Sequence, residues 1–119
     1  MNLEQLAQEI GAHIETPATP ERADIERVYA GDRMSDLLGA ASERTLLATH
    51  IANCGLLRLI ELMDVPAICF ANGATPDPAV VEAARETGTA LLVSPWDLYE
   101  TCGRLYAALN HEKQRAAPS

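Results

Sequence analysis

Residues able to bind an anion recur at three places where an apolar run gives way to a helix-like segment. They are Asp32, Arg33, Ser35, Thr49, His50, Asn53 and Gly73. The free amides and the dipole at the start of a helix favour a negative charge, and the arginine fork suits a phosphate or a carboxylate. We therefore predict that these seven residues surround one cavity, which binds a small anionic metabolite or nucleotide.

Each side chain in this set has an expected role. Arg33 neutralises the anion, and Ser35 and Asn53 supply neutral hydrogen bonds. His50 makes binding sensitive to pH, because imidazole is the side chain that ordinarily changes charge between pH 5 and 8. The alternative is that Asp32, Ser35 and Asn53 simply cap helices. Their recurrence at one predicted edge of a sheet is what favours a ligand.

His50 could take part in nucleophilic catalysis or in metal binding, since Asn53 and Cys54 follow it by three and four residues. A nucleophilic thiol needs a positive, partly exposed setting. Cys54 instead begins an apolar helix face, which favours packing in the core. No second histidine or acid lies at ligand spacing near His50, so no metal is predicted. His50 is then either a ligand contact or a junction residue bonded to the backbone.

Motifs that would indicate an enzyme are missing from the sequence. There is no glycine-rich loop followed by Lys-Ser or Lys-Thr, and no Gly-x-Ser-x-Gly elbow. The segment 72–74 is too slight to serve as either. We predict a protein that is not an enzyme and has no cofactor.

Apolar runs show how these residues would be positioned. The segments 44–49, 65–70 and 90–93 lack polar alternation, and a further strand is expected at about 25–30. Continuous apolar runs that alternate with helices are typical of parallel strands covered on both faces. The fold class predicted is α/β, a single three-layer domain with a mostly parallel sheet of four or five strands and helices on both faces. Ligands of such sheets gather at the carboxyl ends of the strands.

Helix signals complete this outline. Apolar spacing predicts a helix over 3–10, and a short helix follows the strand near residue 30. Asp77, Pro78 and Gly88 mark the start and the end of another helix. Ser94 is expected to cap the last helix, with Asp97 reaching back to it. Periodicity ends at Leu109, so the folded domain is predicted over 1–109 and a disordered tail over 110–119.

The helix predicted at about 53–63 is apolar over a wide arc, with only Arg58 and Glu61 clearly polar. Such a helix requires burial on more than one side. We therefore predict a homodimer that forms through this helix at micromolar concentration.

Composition and net charge indicate which partners and which cellular location are expected. The 119 residues carry 9 basic and 17 acidic side chains, a net charge of −8 that repels phosphate backbones and anionic lipid. Nucleic acid and membrane are therefore not expected as partners. The three cysteines are widely separated in apolar sequence, which favours reduced core residues. No transmembrane run and no signal peptide is recognisable, so we expect a cytoplasmic protein.

The order of segments is similar to that of a known family. The matching segments are Val28-Tyr29-Ala30-Gly31-Asp32, Ser35-Asp36-Leu37-Leu38, Thr49-His50-Ile51-Ala52-Asn53, Gly73-Ala74-Thr75-Pro76-Asp77 and Trp96-Asp97-Leu98-Tyr99 with Arg104-Leu105-Tyr106. They resemble the small DRTGG-type domains, which are related to the amino-terminal domain of HPr kinase/phosphorylase. Only Asp32 and Arg33 match the letters of the family's name, because Met34-Ser35-Asp36 stands where threonine and two glycines would.

The resemblance implies a free-standing regulatory domain without catalysis, since the family's larger members keep their kinase chemistry in a separate domain. It also implies a protein partner in a metabolic or redox system, including hydrogenase-type systems. Three functions remain open. One is a sensor that binds an anion and signals to its partner, and another is an adaptor that binds protein alone. The third, which the missing motifs disfavour, is a small enzyme that uses His50.

Overall fold

A five-stranded sheet forms the centre of the structure, a computed structural model that describes residues 1–116. The strands are β1 (His13–Thr16), β2 (Arg27–Ala30), β3 (Thr45–Thr49), β4 (Ala67–Phe70) and β5 (Ala90–Val93). Their order is β1-β5-β4-β3-β2, with β2 to β5 parallel and β1 antiparallel to β5. The predicted mostly parallel sheet is thereby confirmed.

Helices cover both faces of this sheet. They are α1 (Leu3–Ile10), α2 (Met34–Ala40), α3 (Leu57–Leu62), α4 (Pro78–Thr87) and α5 (Leu98–Ala116), with single 3-10 turns at Pro20–Arg22 and Cys54–Leu56. One buried cluster joins α1 and α5 to the sheet, and a second joins α2, α3 and α4 to the opposite face. The arrangement has three layers, as predicted.

Burial on both faces explains the apolar runs of the central strands. On β3, Leu46 and Ala48 belong to the cluster under α1 and α5, whereas Leu47 belongs to the cluster under α3 and α4. All three side chains are fully buried. Successive residues of a strand point to opposite faces, so a strand covered on both sides has no room for polar alternation.

Helix ends were predicted with mixed success. α4 begins at Pro78 after Asp77 and ends at Thr87, before Gly88, whose φ of 75° is left-handed, as the sequence indicates. The predicted start of the last helix is wrong. α5 begins at Leu98, and the Asp97 carboxylate accepts from the Glu100 N–H at 2.8 Å. Ser94 is fully buried instead, and its hydroxyl bonds that of Thr101 at 2.7 Å.

Three further boundaries differ from the predictions. β1 was not expected, because only Ile14 of its four residues is a large apolar residue. The helix expected at 53–63 is the 3-10 turn Cys54–Leu56 followed by α3. α5 extends to Ala116, so the structure has helix over 110–116 where a tail was predicted. Residues 117–119 lie outside the described residues.

The apolar arc of α3 is used within the chain. Leu59 and Ile60 are buried together with Leu56, and they pack with α4 and the sheet. Leu62, by contrast, is 72% exposed. The surface on which the predicted dimer rested is therefore largely covered by the protein itself. Over residues 1–116, no helix combines the length and the apolar character that a membrane span needs.

Candidate functional site

Asp32 joins the ends of β2 and β3. One of its carboxylate oxygens, Oδ1, accepts from the His50 backbone N–H at 2.7 Å and from the Thr49 hydroxyl at 3.1 Å. The other oxygen, Oδ2, lies 2.9 Å from Nδ1 of His50. The loop after β2 is thus held to the loop after β3 by three contacts to one side chain. Asp32 does not cap α2, whose N-cap position belongs to Arg33.

Asn72 extends this arrangement to the loop after β4. Its Nδ2 lies 2.9 Å from Nε2 of His50. A carboxylate can only accept, so Nδ1 of His50 carries the proton that it donates to Asp32. In the neutral ring Nε2 then accepts from the Asn72 amide. Asp32, His50 and Asn72 form a continuous row, here named the edge row, across the carboxyl ends of three successive parallel strands.

The loop after β4 turns sharply at Asn72 and Gly73, both in the left-handed region with φ of 59° and 64°. Asparagine is one of the few residues besides glycine that adopts this conformation readily. The two backbone N–H groups donate to Trp96 and Ser94 carbonyls, each at 2.7 Å. Gly73 therefore shapes the turn, and its N–H already has a partner inside the chain. Asn72 was missed, although an Asn-Gly pair is itself a turn signal.

The remaining predicted residues lie around the same edge but outside the row. The Arg33 side chain is 81% exposed, and its guanidinium is 3.9 Å from the Asp36 carboxylate. Ser35 is exposed in the first turn of α2. Asn53 caps the 3-10 turn after β3, because its side-chain oxygen accepts from the Gly55 N–H at 2.9 Å. The capping alternative thus describes Asn53, but not Asp32 or Ser35.

The topology explains why this edge forms a row. Crevices form at the carboxyl edge where the strand order reverses and neighbouring crossovers leave on opposite faces. Here β2, β3, β4 and β5 follow one another in order, and α2, α3 and α4 all lie on one face. The loops consequently run side by side, close enough for the hydrogen bonds between Asp32, His50 and Asn72.

Hydrogen bonding makes Asp32 more acidic than an ordinary aspartate. The His50 side chain is the largest cause of its lowered pKa, against a smaller opposing effect of burial, and the His50 N–H and the Thr49 hydroxyl lower the pKa further. A lowered folded-state pKa adds stability above the unfolded-state pKa, and this stability is lost as pH falls through the folded-state value.

We expect Asp32→Asn to lower the free energy of unfolding at neutral pH by about 1 kcal/mol. The loss is small because the carboxylate is half exposed, and water screens its contacts. The difference from the wild type should shrink as pH falls through the pKa of folded Asp32. Urea denaturation over a series of pH values measures both effects. Asp36→Asn is the matched control and should change stability by less than about 0.5 kcal/mol. Equal losses in the two variants would contradict this description of the row.

Two of the three cysteines are shielded, and one is not. Cys69 is buried, which raises the pKa of its thiol to about 12, and burial also raises the pKa of Cys102. The prediction for Cys54 is wrong, because Cys54 is exposed and its thiol lies 3.6 Å from the Asp77 carboxylate. Cys54 begins a 3-10 turn rather than the α-helix, so the helical periodicity used for it does not apply. Among the side chains of residues 1–111, no group of three histidine, cysteine or acidic residues is placed to hold a metal ion.

The fold and the edge row together define an α/β domain of the mostly parallel, three-layer class. No family model matches the chain, and no curated protein matches it. Among solved structures it is similar to the CBS and DRTGG domains of the regulatory region of Clostridium perfringens pyrophosphatase, a complex with the activator diadenosine tetraphosphate. The TM-score is 0.72 at 17% identity, over 87% of this chain and 45% of that one. This likeness shows a related fold, and the chain spans less than half of the matched regulatory region.

Proposed function

We propose that this chain is a regulatory domain, not an enzyme, which binds a small anionic metabolite or nucleotide at the edge row and signals the bound state to a protein partner. The observation that carries the proposal is the row itself, which links the loops after β2, β3 and β4 beside the exposed guanidinium of Arg33. An anion bound there would contact groups from more than one loop.

The chemistry of the row favours binding over catalysis. Both ring nitrogens of His50 have partners within the chain, so the ring has no free lone pair with which to remove a proton. Arg33 offers a forked donor to a phosphate, Ser35 offers a hydroxyl, and the Asn72 amide keeps a further donor and an acceptor. The site we propose is thus an open one on the protein surface, with the exposed guanidinium of Arg33 as the cation that attracts the ligand.

Contacts to the next loop provide a physical route for the signal. The N–H groups of Asn72 and Gly73 donate to the segment that precedes α5. In that segment the Trp96 indole donates to the Ile10 carbonyl at 3.0 Å, and the Arg104 guanidinium stacks 3.8 Å from the Trp96 ring centroid. These contacts connect the edge row to the start of α5 and to the end of α1. A structural change at the row would therefore be transmitted to both helices.

The structural likeness adds support for a nucleotide. The similar pyrophosphatase regulatory region is complexed with diadenosine tetraphosphate, a nucleotide that activates that protein. A ligand of this type carries several phosphates, which an exposed arginine is suited to bind. To this proposal we add a cytoplasmic location, a homodimer, and a protein partner from a metabolic or redox system such as a hydrogenase-type system.

Isothermal titration calorimetry with diadenosine tetraphosphate, ATP and inorganic phosphate tests the proposal. We expect heat from at least one nucleotide, and an increase in melting temperature with that ligand, because a ligand that binds only the native state stabilises it by mass action. An excess of about 100-fold over the dissociation constant stabilises by about 2.7 kcal/mol. If no ligand produces heat or a thermal shift, the adaptor function replaces the sensor function. The exposure of two aromatic side chains favours an adaptor, since Tyr99 is 89% exposed and Tyr106 is 73% exposed.

A further inference from the structure

The two edges of the sheet differ in a way that bears on assembly. β1 forms one edge, and its register against β5 shifts between Ile14 and Thr16. β2 forms the other edge, and its register against β3 is regular from Arg27 to Ala30. Irregular edges resist pairing with another chain, whereas a regular open edge offers unpaired backbone groups. The β2 edge is therefore the better template for a further strand.

The hydrogen bonds to β3 identify which groups are open. Arg27 N–H donates to the Arg44 carbonyl at 3.1 Å, and Gly31 N–H donates to the Ala48 carbonyl at 3.0 Å. Donors and acceptors alternate between the two sides of a strand, so Arg27, Tyr29 and Gly31 face β3. Val28 and Ala30 then direct their N–H and C=O groups away from the sheet. These open groups are arranged symmetrically about Tyr29.

From this symmetry we infer that β2 is the interface with a second copy of this chain, paired antiparallel to its own equivalent about Tyr29. Val28 then lies opposite Ala30 of the second copy, and Ala30 opposite its Val28. Each such pair exchanges two hydrogen bonds. The two sheets join into one, and the symmetry closes because the same patch serves both copies.

The surface beside β2 is suited to the same arrangement. A cavity of about 370 Å³ lies between β2 and α5, with Val28, Cys102 and Tyr106 among its lining residues. Tyr99 and Tyr106 are exposed and seven residues apart on α5, so they lie on one face of this helix. A two-fold axis perpendicular to the sheet keeps both α5 helices on the same face. Each helix then covers the exposed tyrosines and the cavity of the other, which a single added peptide strand would not do.

Charges along the edge are compatible with this pairing. Arg27 is exposed and aligns with Gly31 of the second copy, one residue from its Asp32 carboxylate. Glu26 aligns with that Asp32, but both carboxylates already have partners, Arg44 at 2.9 Å and His50 at 2.9 Å. The arrangement therefore places Arg27 of each copy near Asp32 of the other. Glu26 and Asp32, the two carboxylates that align, each keep a partner within their own chain.

The test uses sedimentation equilibrium at micromolar concentration, with circular dichroism as the check on folding. We expect the wild type at twice the 12.8 kDa chain mass. Ala30→Pro removes an outward N–H that β3 does not use, and Tyr106→Glu places a charge beside the cavity, so both variants should be folded monomers. Leu62→Glu, which changes the exposed leucine of α3, is the control and should remain a dimer.

Hydrogen exchange provides a second measurement that is specific to strand pairing. The amides of Val28 and Ala30 should be protected in the wild type and exchange at least 10-fold faster in Tyr106→Glu, while those of Arg27 and Tyr29 stay protected in both. This interface depends on the proposed homodimer but not on the proposed ligand. A monomeric wild type would overturn both the homodimer and the interface. A dimer that persists in Ala30→Pro and Tyr106→Glu, or is lost in Leu62→Glu, would overturn the interface alone.

Discussion

Arg33→Ala is expected to weaken the binding of an anionic nucleotide by roughly 10- to 150-fold, the range for losing hydrogen bonds to a charged group. Arg33 is the exposed cation beside the edge row, and its guanidinium lies 3.9 Å from the Asp36 carboxylate. The fold should be unaffected, because the guanidinium supports no buried structure. Calorimetry with the tightest nucleotide of the panel measures the loss.

Arg85→Ala is the matched control for this loss of positive charge. Arg85 is exposed in the last turn of α4, a helix that runs back from the carboxyl edge and therefore ends at the amino edge of the sheet. Both variants lower the net charge by the same amount, so a long-range effect would appear in both. Affinity that falls equally in the two variants, or in neither, would leave Arg33 without the role we propose.

Leu59→Ala is expected to lower the free energy of unfolding by about 3 to 5 kcal/mol, whereas Leu62→Ala should cost less than about 0.5 kcal/mol. Both are leucines of α3, so helix propensity is equal in the comparison. Leu59 is fully buried against the core under α4, and Leu62 is 72% exposed. Chemical denaturation with urea measures the difference.

The same pair of variants separates two uses of the apolar α3 face. If α3 formed a dimer interface, Leu62→Ala would lower stability in a way that depends on protein concentration. We expect no such dependence for Leu62→Ala. A large, concentration-dependent loss in Leu62→Ala would restore the dimer that the sequence predicted on this helix.

Local signals predicted well where the structure depends on local physics. Asp77, Pro78 and Gly88 mark the ends of α4 because a proline fits the first turn and a glycine adopts the left-handed conformation that ends a helix. The apolar runs of β3, β4 and β5 predicted buried strands for the same reason, since burial on both faces leaves no alternation. The family resemblance led to the same architecture.

Features that depend on tertiary contacts were not predicted. β1 pairs at an edge through its backbone, so its side chains carry no strand periodicity. Ser94 has the residue type of a cap, yet it is buried under α5 because the helix begins four residues later. The face on which each helix lies also has no local signal. Because α2, α3 and α4 all lie on one face, the loops at the carboxyl edge run side by side and do not diverge into a crevice.

The candidate site shows the same division. Its residues were expected at one edge because parallel strands end together, and Asp32, Thr49 and His50 are indeed in contact. Asn72 was missed because its role depends on the distance between two loops, which spacing along the chain does not give. As ligand contacts, all seven predicted residues stay a prediction, which the nucleotide titrations test.

The proposed site is tested most directly by a titration of the isotopically labelled protein with diadenosine tetraphosphate, followed through amide chemical shifts in nuclear magnetic resonance. We predict that the largest shifts fall in 31–36, 49–53 and 71–74, the three loops joined by the edge row, with smaller shifts at the start of α5. The same titration of Arg33→Ala should need a much higher ligand concentration for the same shifts. Shifts confined to the cavity between β2 and α5, with none at the three loops, would contradict the proposed site.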